Sequence, residues 1–215
     1  RGQPVFLALL SDWIKTAPIS LQQFQEDLVK NTGQAISAEV TPAQIAYFEK
    51  TLINHIHQFL GTSELAVTYL AVAWRRTTPE ILSCLTGQPL ADCQKIVNLF
   101  KEKWGNSFIK IKPNNVVLLH DEMARLLNEY FWQDNRHAYE DSLQRLVKYY
   151  DDQLLVNTAT LSEADREAYT LELIGYAFQA DFANGLVRFT DEFDLAMEDG
   201  RYDYSESLLQ EAERA

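Results

Sequence analysis

The sequence has few cysteines and no long apolar run, and each of these shortages excludes a class of protein. The two cysteines, Cys84 and Cys93, form neither a CxxC motif nor a disulfide framework, and no histidine cluster accompanies them, so we expect two buried, reduced thiols and no metal site. No apolar stretch approaches the roughly 18 residues that cross a bilayer, and no segment has the pattern of a signal peptide. We therefore predict a cytoplasmic protein without membrane contact. The opening Arg1-Gly2-Gln3-Pro4 suggests a segment of a longer chain.

Acidic residues are in excess, but only in the last third of the chain. In total, 31 Asp and Glu stand against 19 Lys and Arg, which gives a net charge of −12. Residues 1–133 hold 12 of each sign, whereas residues 134–215 hold 19 acids and 7 bases. This difference predicts a module boundary near Asp134. It also argues against a nucleic-acid surface in the C-terminal part, because phosphate backbones are bound by clustered Lys and Arg.

Apolar residues recur at three- and four-residue spacing through most of the chain, which predicts a mainly α fold. Residues 1–61 are predicted to form a small helical bundle with helices at 4–15, after the capping residue Ser20, and from Thr41-Pro42 to the stop at Gly61. Residues 63–133 are predicted to form a winged-helix domain. Its three helices are expected at 63–74, after Thr78-Pro79, and at 89–104, followed by a β-hairpin over 108–119 with one buried and one solvated face.

After Asp134 the pattern is purely helical. Consecutive helices of similar length predict antiparallel α-hairpins, the start of a TPR-like α-solenoid over 134–215. The tetratricopeptide consensus itself fits poorly, and no internal repeat of about 34 residues is visible.

The most informative motif is Leu119-His120-Asp121, which joins the second hairpin strand to an amphipathic helix. A histidine at such a junction lies at the end of an element, where its imidazole can hydrogen-bond a ligand or another domain whether neutral or protonated. Asp121 is expected to cap the helix that follows. A routine N-cap beside a partly exposed histidine is the simpler interpretation of the same pair.

A winged helix that ends in Leu-His-Asp resembles the switch module of STAND-class signalling NTPases, where a Met-His-Asp motif occupies this place. In that family the histidine contacts the β-phosphate of bound ADP and holds a closed, inactive state. The resemblance therefore implies that His120, followed by Asp121, contacts ADP, with Leu119 in place of the usual Met. Gly2 and Pro4 match a second family motif, Gly-x-Pro, whose proline packs near the adenine at the start of a helical lid. The order of these motifs and domains covers essentially the whole chain.

The chain departs from that family in one respect. It has no Gly-x-x-x-x-Gly-Lys-Ser/Thr phosphate loop and no acidic strand end that could hold Mg²⁺. We therefore expect no catalytic residues in this segment, and ADP or ATP binding only together with an upstream NTPase domain of the same chain.

The resemblance implies the regulatory half of a signal-transduction ATPase. Residues 1–61 would be the lid, 63–133 the winged-helix latch, and 134–215 the first helices of an array that receives a protein or small-molecule trigger. The expected partners are the upstream NTPase domain, that trigger and, on activation, further copies of the chain.

The alternative is a free-standing interaction or transcription-regulatory protein whose winged helix docks on protein or DNA. Its recognition helix, at 89–104, would present three bases against two acids, and the hairpin would add two lysines. Specific DNA binders need a stronger positive stripe than this, so nucleic acid is not an expected partner. The charged residues concerned are Asp92, Lys95, Lys101, Glu102, Lys103, Lys110 and Lys112.

Overall fold

The computed structural model describes residues 21–33, 41–59, 66–104 and 109–214, and over these ranges the prediction of a mainly α protein is confirmed. The described residues form ten α-helices, one two-stranded antiparallel sheet, a 3₁₀ turn and a π-helical segment. In chain order these are α1 (Leu21–Thr32), α2 (Pro42–Phe59), the 3₁₀ turn (Ala66–Thr68), α3 (Tyr69–Val72), α4 (Pro79–Thr86), α5 (Leu90–Trp104), β1 (Ile109–Ile111), β2 (Val117–Leu119), α6 (Asp121–Leu127), the π-helix (Asn128–Trp132), α7 (Arg136–Val156), α8 (Glu163–Ala180), α9 (Phe182–Glu198) and α10 (Tyr202–Arg214).

These elements divide into two compact units. Unit 1 comprises the described residues of Arg1–Pro79 and Pro89–Asn135, and unit 2 comprises Glu80–Gln88 and Arg136–Ala215. The helix predicted at 4–15 lies outside the described residues, as do Gly2 and Pro4.

Helix α2 is held at its start by a reciprocal pair of hydrogen bonds. The Gln44 backbone N–H donates to Thr41 Oγ1 at 3.3 Å, and the Thr41 N–H donates to Gln44 Oε1 at 3.0 Å. This capping box satisfies two amide donors that have no partner in the first helical turn. Helix α1 packs against α2, and α2 in turn contacts α6 and the π-helix.

The predicted hairpin is present. Strand β1 pairs antiparallel with β2, with Ile109 opposite Leu119. The turn between the strands has Asn114 and Asn115 at φ 58° and 61°, which is the left-handed geometry of a type I′ turn and one that asparagine tolerates well. An isolated bridge between Thr77 and Val117 adds a further antiparallel pairing beside β2.

The burial of the hairpin departs from strict alternation. In β2, Val117 and Leu119 are buried and the residue between them is half-buried, as the alternating pattern predicts. In β1, however, Ile109 is buried and Ile111 is 49% exposed. Ile111 is the last residue of its strand before the turn.

The helix predicted at 63–74 is shorter than its pattern indicated. Residues 63–65 lie outside the described ranges, and the described part consists of the 3₁₀ turn and the single α-helical turn α3. Ala73 leaves the helical conformation at ψ 51°, the chain turns over residues 73–75, and Thr77 then pairs with Val117. Tyr69 is half-buried and the other residues from Ala66 to Ala73 are buried, but Trp74 lies beyond the helix and is 37% exposed.

Unit 2 is built on helix α8, which packs against α7, α9 and α10. Ser162 caps α8 by accepting a hydrogen bond from the Asp165 N–H at 3.1 Å, as the Ser-Glu-Ala-Asp sequence indicates. Asp181 caps α9 in the same way, accepting from Ala183 and Asn184. Side chains from three of these helices form a common core, namely Ile174, Phe178, Ala196, Tyr204 and Leu208.

The two cysteines are free thiols. Cys93 is buried in unit 1, as expected. Cys84 in unit 2 is only half-buried, and burial raises the pKa of its thiol. In the described part of the chain, no helix combines the length and the apolar character needed to cross a membrane.

Helices α8 and α9 approach each other closely at Gly185. A Cβ added to this buried glycine would lie 2.6 Å from the backbone N and Cα of Phe178, too close for the helices to keep their positions. We therefore expect Gly185→Ala to lower the free energy of unfolding by about 1–3 kcal/mol in urea denaturation, despite the better helix propensity of alanine. Thr190→Ala, at an exposed position of the same helix, is the control and should change it by about 0.5 kcal/mol or less. Equal effects of the two substitutions would contradict the close approach.

Candidate functional site

His120 lies between the end of β2 and the start of α6. Its backbone is extended, with φ −63° and ψ 144°, and its carbonyl accepts the first helical hydrogen bond, from the Ala124 N–H at 3.0 Å. His120 therefore occupies the N-cap position of α6. Its half-buried side chain makes no capping hydrogen bond, so the imidazole does not serve to start the helix.

Asp121 is the first residue of α6, so the prediction that it caps this helix is wrong. Its carboxylate is 95% exposed and forms an ion pair with Lys110 Nζ on β1 at 2.8 Å. The hydrogen bond and positive charge of Lys110 lower the pKa of the Asp121 carboxyl. The pair therefore persists above that pKa and is lost as the pH falls through it. The pair joins the start of α6 to the hairpin. A carboxylate in the first helical turn also interacts favourably with the positive end of the helix dipole.

Of the four predicted site residues, the structure describes two. His120 and Asp121 are adjacent at the strand-to-helix junction, whereas Gly2 and Pro4 lie outside the described residues. The imidazole of His120 and the carboxylate of Asp121 thus stand at one end of the hairpin, with Lys110 as the nearest basic partner. This arrangement leaves the imidazole free of any helix-capping role.

A second polar cluster lies further along the same helix. Glu49 of α2 is buried, with only 7% of its side chain exposed. Its Oε1 accepts a hydrogen bond from Arg125 Nη2 of α6 at 2.7 Å, and its Oε2 accepts one from the Tyr130 hydroxyl at 2.8 Å. The same guanidinium also binds the carboxylates of Glu122 and Glu129. We call Glu49, Arg125 and Tyr130 the buried ion-pair cluster.

The cluster changes the acidity of its members. The hydrogen bond with Glu122, followed by that with Glu49, raises the pKa of the Arg125 guanidinium. Burial, reinforced by the bond to Glu49, raises the pKa of the Tyr130 hydroxyl. The guanidinium therefore keeps its charge and the phenol keeps its proton at any physiological pH, and both remain donors to Glu49.

This cluster was not predicted from the sequence, although α2 carries a signal for it. Glu49 is four residues before Ile53, which is 1% exposed, so the two share the buried face of an α-helix. A carboxylate on such a face requires a charged or hydrogen-bonding partner, because an unpaired buried charge is strongly unfavourable. The helical spacing therefore predicts that a partner exists, but not that it is Arg125, 76 residues later.

The π-helix positions the aromatic side chains of Tyr130 and Trp132. A π turn is wider than an α turn, so the side chains that follow Leu127 present a different face from the one an α-helix would give. Tyr130 contacts Glu49, and the buried Trp132 donates from Nε1 to the Thr68 carbonyl at 3.0 Å. The Tyr69 ring lies 5.5 Å from the Trp132 ring. These contacts join the end of the helix to the 3₁₀ turn and α3.

Among the described residues, no group of three or more His, Cys, Asp or Glu could hold a metal ion. The Arg75 guanidinium lies over the ring of the neighbouring Trp74, 4.9 Å from its centroid. The site therefore contains one half-buried imidazole, that of His120, at the junction between β2 and α6. Helix α6 is in turn anchored to α2.

The buried ion-pair cluster generates a stability prediction. Arg125→Met leaves the Glu49 carboxylate buried without its counter-charge, and we expect a loss of about 2–3 kcal/mol in urea denaturation, less than for a fully buried pair because Arg125 is 42% exposed. Arg136→Met is the matched control, since its pair with Glu140 is exposed, and it should cost about 0.5 kcal/mol or less. If both variants lose the same stability, the cluster does not anchor α6.

Comparison with known proteins identifies no relative of this chain. No protein-family model matches the chain, and neither a curated protein nor a solved structure matches it.

Proposed function

We propose that the chain is the regulatory switch segment of a STAND-type signal-transduction ATPase, in which His120 binds the phosphates of ADP and holds the inactive state. Residues 1–61 would be the helical lid, 63–133 the winged-helix latch, and 134–215 the first helices of a TPR-like array that receives the trigger. The nucleotide would be held jointly with an NTPase domain upstream in the same chain, and the segment itself would not be an enzyme.

The position of His120 is the observation that carries this proposal. It stands half-buried where the hairpin ends and α6 begins, and its imidazole has no capping role in that helix. A side chain at such a place that has no helix-starting function is suited to contact a ligand or a neighbouring domain. An imidazole can supply one hydrogen bond to a phosphate oxygen, and that bond becomes charge-assisted when the ring is protonated.

The order of elements is the second support. Between Thr77 and Leu127 the described residues run through a bridge, two helices, a hairpin and a further helix, which is the order that a winged helix requires. The bridge pairs with β2 as a third, minimal strand of the wing. Helix α6 then leads through the π-helix toward the acidic helices that follow.

The buried ion-pair cluster explains how a contact at His120 could be transmitted. Arg125 lies five residues after His120 on the same helix, and it joins that helix to Glu49 in the proposed lid. A displacement of α6 would therefore either carry α2 with it or break a buried ion pair. A switch needs such a discrete element, whose two arrangements a ligand can favour differently.

The energy required is within the range of one contact. A hydrogen bond to a charged group contributes about 1.5–3 kcal/mol, and a tenfold to hundredfold bias between two states corresponds to about 1.4–2.8 kcal/mol. One bond from His120 to a phosphate could thus supply most of the bias, and a trigger on the helical array would have to offset a similar amount.

The alternative, a free-standing winged-helix protein that docks on DNA, is less well supported by the same region. Two lysines of the proposed recognition helix are occupied by neighbours, because Lys95 pairs with Asp92 at 2.9 Å and Lys101 donates to Asn115 at 2.8 Å. In the hairpin, Lys110 pairs with Asp121. Each of these bases would have to exchange a present partner for a DNA phosphate.

The gene itself offers the first test. We expect that the codons upstream of Arg1 encode a strand, a Gly-x-x-x-x-Gly-Lys-Ser/Thr loop and a helix, since the proposed switch requires a phosphate cradle that this chain lacks. Sequencing of the native locus measures this directly. A start codon next to Arg1, with no phosphate loop before it, would contradict the switch and favour the stand-alone interaction protein.

Nucleotide retention offers the second test. In the longer protein, His120→Ala should lower the ADP that co-purifies by tenfold or more and raise basal activity, because the inactive state loses its phosphate contact. Bound nucleotide is measured by chromatography of the denatured, purified protein. His137→Ala, at a 91% exposed side chain in unit 2, is the control and should retain ADP. An unchanged ADP content in the His120 variant would exclude the proposed contact.

A further inference from the structure

Unit 2 has an open cleft of about 320 Å³ between α7, α8 and α9. Its apolar lining comes from all three helices, and two of the four side chains, Leu173 and Ile174, are buried core residues. Leu195 of α9 lines the cleft and is 48% exposed, although it is a large aliphatic residue. The apolar lining consists of Leu154, Leu173, Ile174 and Leu195.

The charged lining of this cleft has an excess of negative charge. Arg188 is held by Asp151 through two parallel hydrogen bonds of 2.7 and 2.9 Å. Glu192 faces Arg201 Nη2 at 3.8 Å, but Arg201 also pairs with Glu167 and Asp199. Asp191, near them in sequence, makes no hydrogen bond or ion pair with any described residue. The cleft is therefore negative, and Asp191 is its exposed acid without a basic partner among the described residues.

Asp191 lies within a stripe of exposed side chains on α9. Val187, Asp191 and Leu195 are spaced four residues apart, so they follow one face of the helix over about 12 Å at 1.5 Å per residue. Val187 is 60% exposed and Leu195 is 48% exposed. The stripe thus presents an apolar, an acidic and an apolar group in line, beside the apolar lining of the cleft.

We infer that this cleft binds an amphipathic helical segment of a partner protein that carries a Lys or Arg between two large apolar side chains. The apolar residues of such a segment would cover Val187 and Leu195, and its basic group would pair with Asp191. A helix laid along a groove makes contacts at three- and four-residue spacing, which is the spacing of the stripe. The cleft is open to solvent, which suits a protein segment better than a small molecule that a pocket must enclose.

This inference rests on the proposed function only in identifying the segment as the trigger of the switch. Binding itself requires neither nucleotide nor an upstream domain, and it can be measured on the present chain. Failure of the binding test would leave the ADP result untouched, and failure of the ADP test would leave the binding result untouched.

The test begins with a displayed library of random peptides selected on the purified full chain. We expect enrichment of sequences with a basic residue flanked by apolar residues at three- or four-residue spacing. The most enriched peptide, labelled with fluorescein, is then titrated against the chain by fluorescence anisotropy. Its affinity should fall as NaCl is raised, because the contact with Asp191 is exposed to salt screening.

Matched variants locate the binding surface. Asp191→Asn should weaken the peptide about two- to fivefold, as expected for one exposed ion pair, and Leu195→Ser about fivefold or more through lost apolar contact. Asp194→Asn removes the same charge from the same helix outside the cleft, and Leu209→Ser removes a leucine of similar exposure, 45%, from α10. Both controls should leave the affinity within twofold. All four positions are exposed, so each variant should keep its far-UV circular dichroism.

A charge exchange completes the test. Asp191→Lys should abolish binding of the basic peptide, and replacing the basic residue of the peptide by Glu should restore it. Three results would overturn the inference: no enrichment over the bare support, enrichment of peptides without a basic residue, or equal loss of affinity in the control variants. Stabilisation of the chain by phenethylamine without peptide enrichment would also overturn it, and would assign the cleft to a small organic cation.

Discussion

The buried carboxylate of Glu49 is the constraint on which the arrangement of unit 1 depends. A charge at 7% exposure is tolerated only with partners, and Arg125 and Tyr130 supply them from the segment that follows the hairpin. Satisfying Glu49 therefore fixes α6 and the π-helix against α2. It also fixes the start of α6, and with it the place where His120 stands. The candidate ligand-binding imidazole is thus positioned by an ion pair that does not touch it.

Apolar packing determines unit 2 instead. Helix α8 contacts all three of its neighbours, and Gly185 allows α9 to approach the Phe178 backbone. Most acids of this part lie at the surface, whereas Glu211 is buried and pairs with Arg214, and the half-buried Asp151 pairs with Arg188. Because the core uses few of these charges, the surface can present one of them, Asp191, to a partner. The same helices therefore pack through their apolar faces and can bind a partner through an exposed face.

Local chemistry made much of the fold predictable. The helix start at Thr41 followed from its capping residue, and the hairpin over 108–119 followed from the alternating pattern of its strands. Where a prediction depended on a neighbour, it was less accurate. The helix expected at 63–74 ends early because the chain turns after Ala73 and pairs Thr77 with Val117, and the cap expected at Asp121 falls on His120 because the helix begins one residue earlier than expected.

The sequence by itself determined the helical content, the hairpin, the uneven charge and the place of His120, because each follows from side-chain periodicity, turn chemistry or composition over a few neighbouring residues. Only the tertiary structure decided that Glu49 meets Arg125 and Tyr130, and that Asp191 is the exposed acid of a cleft, without a basic partner among the described residues. These depend on contacts across 76 residues in one case and on three helices in the other. Helical spacing shows which face of a helix is buried, but the partner that covers that face is selected by packing of the folded chain.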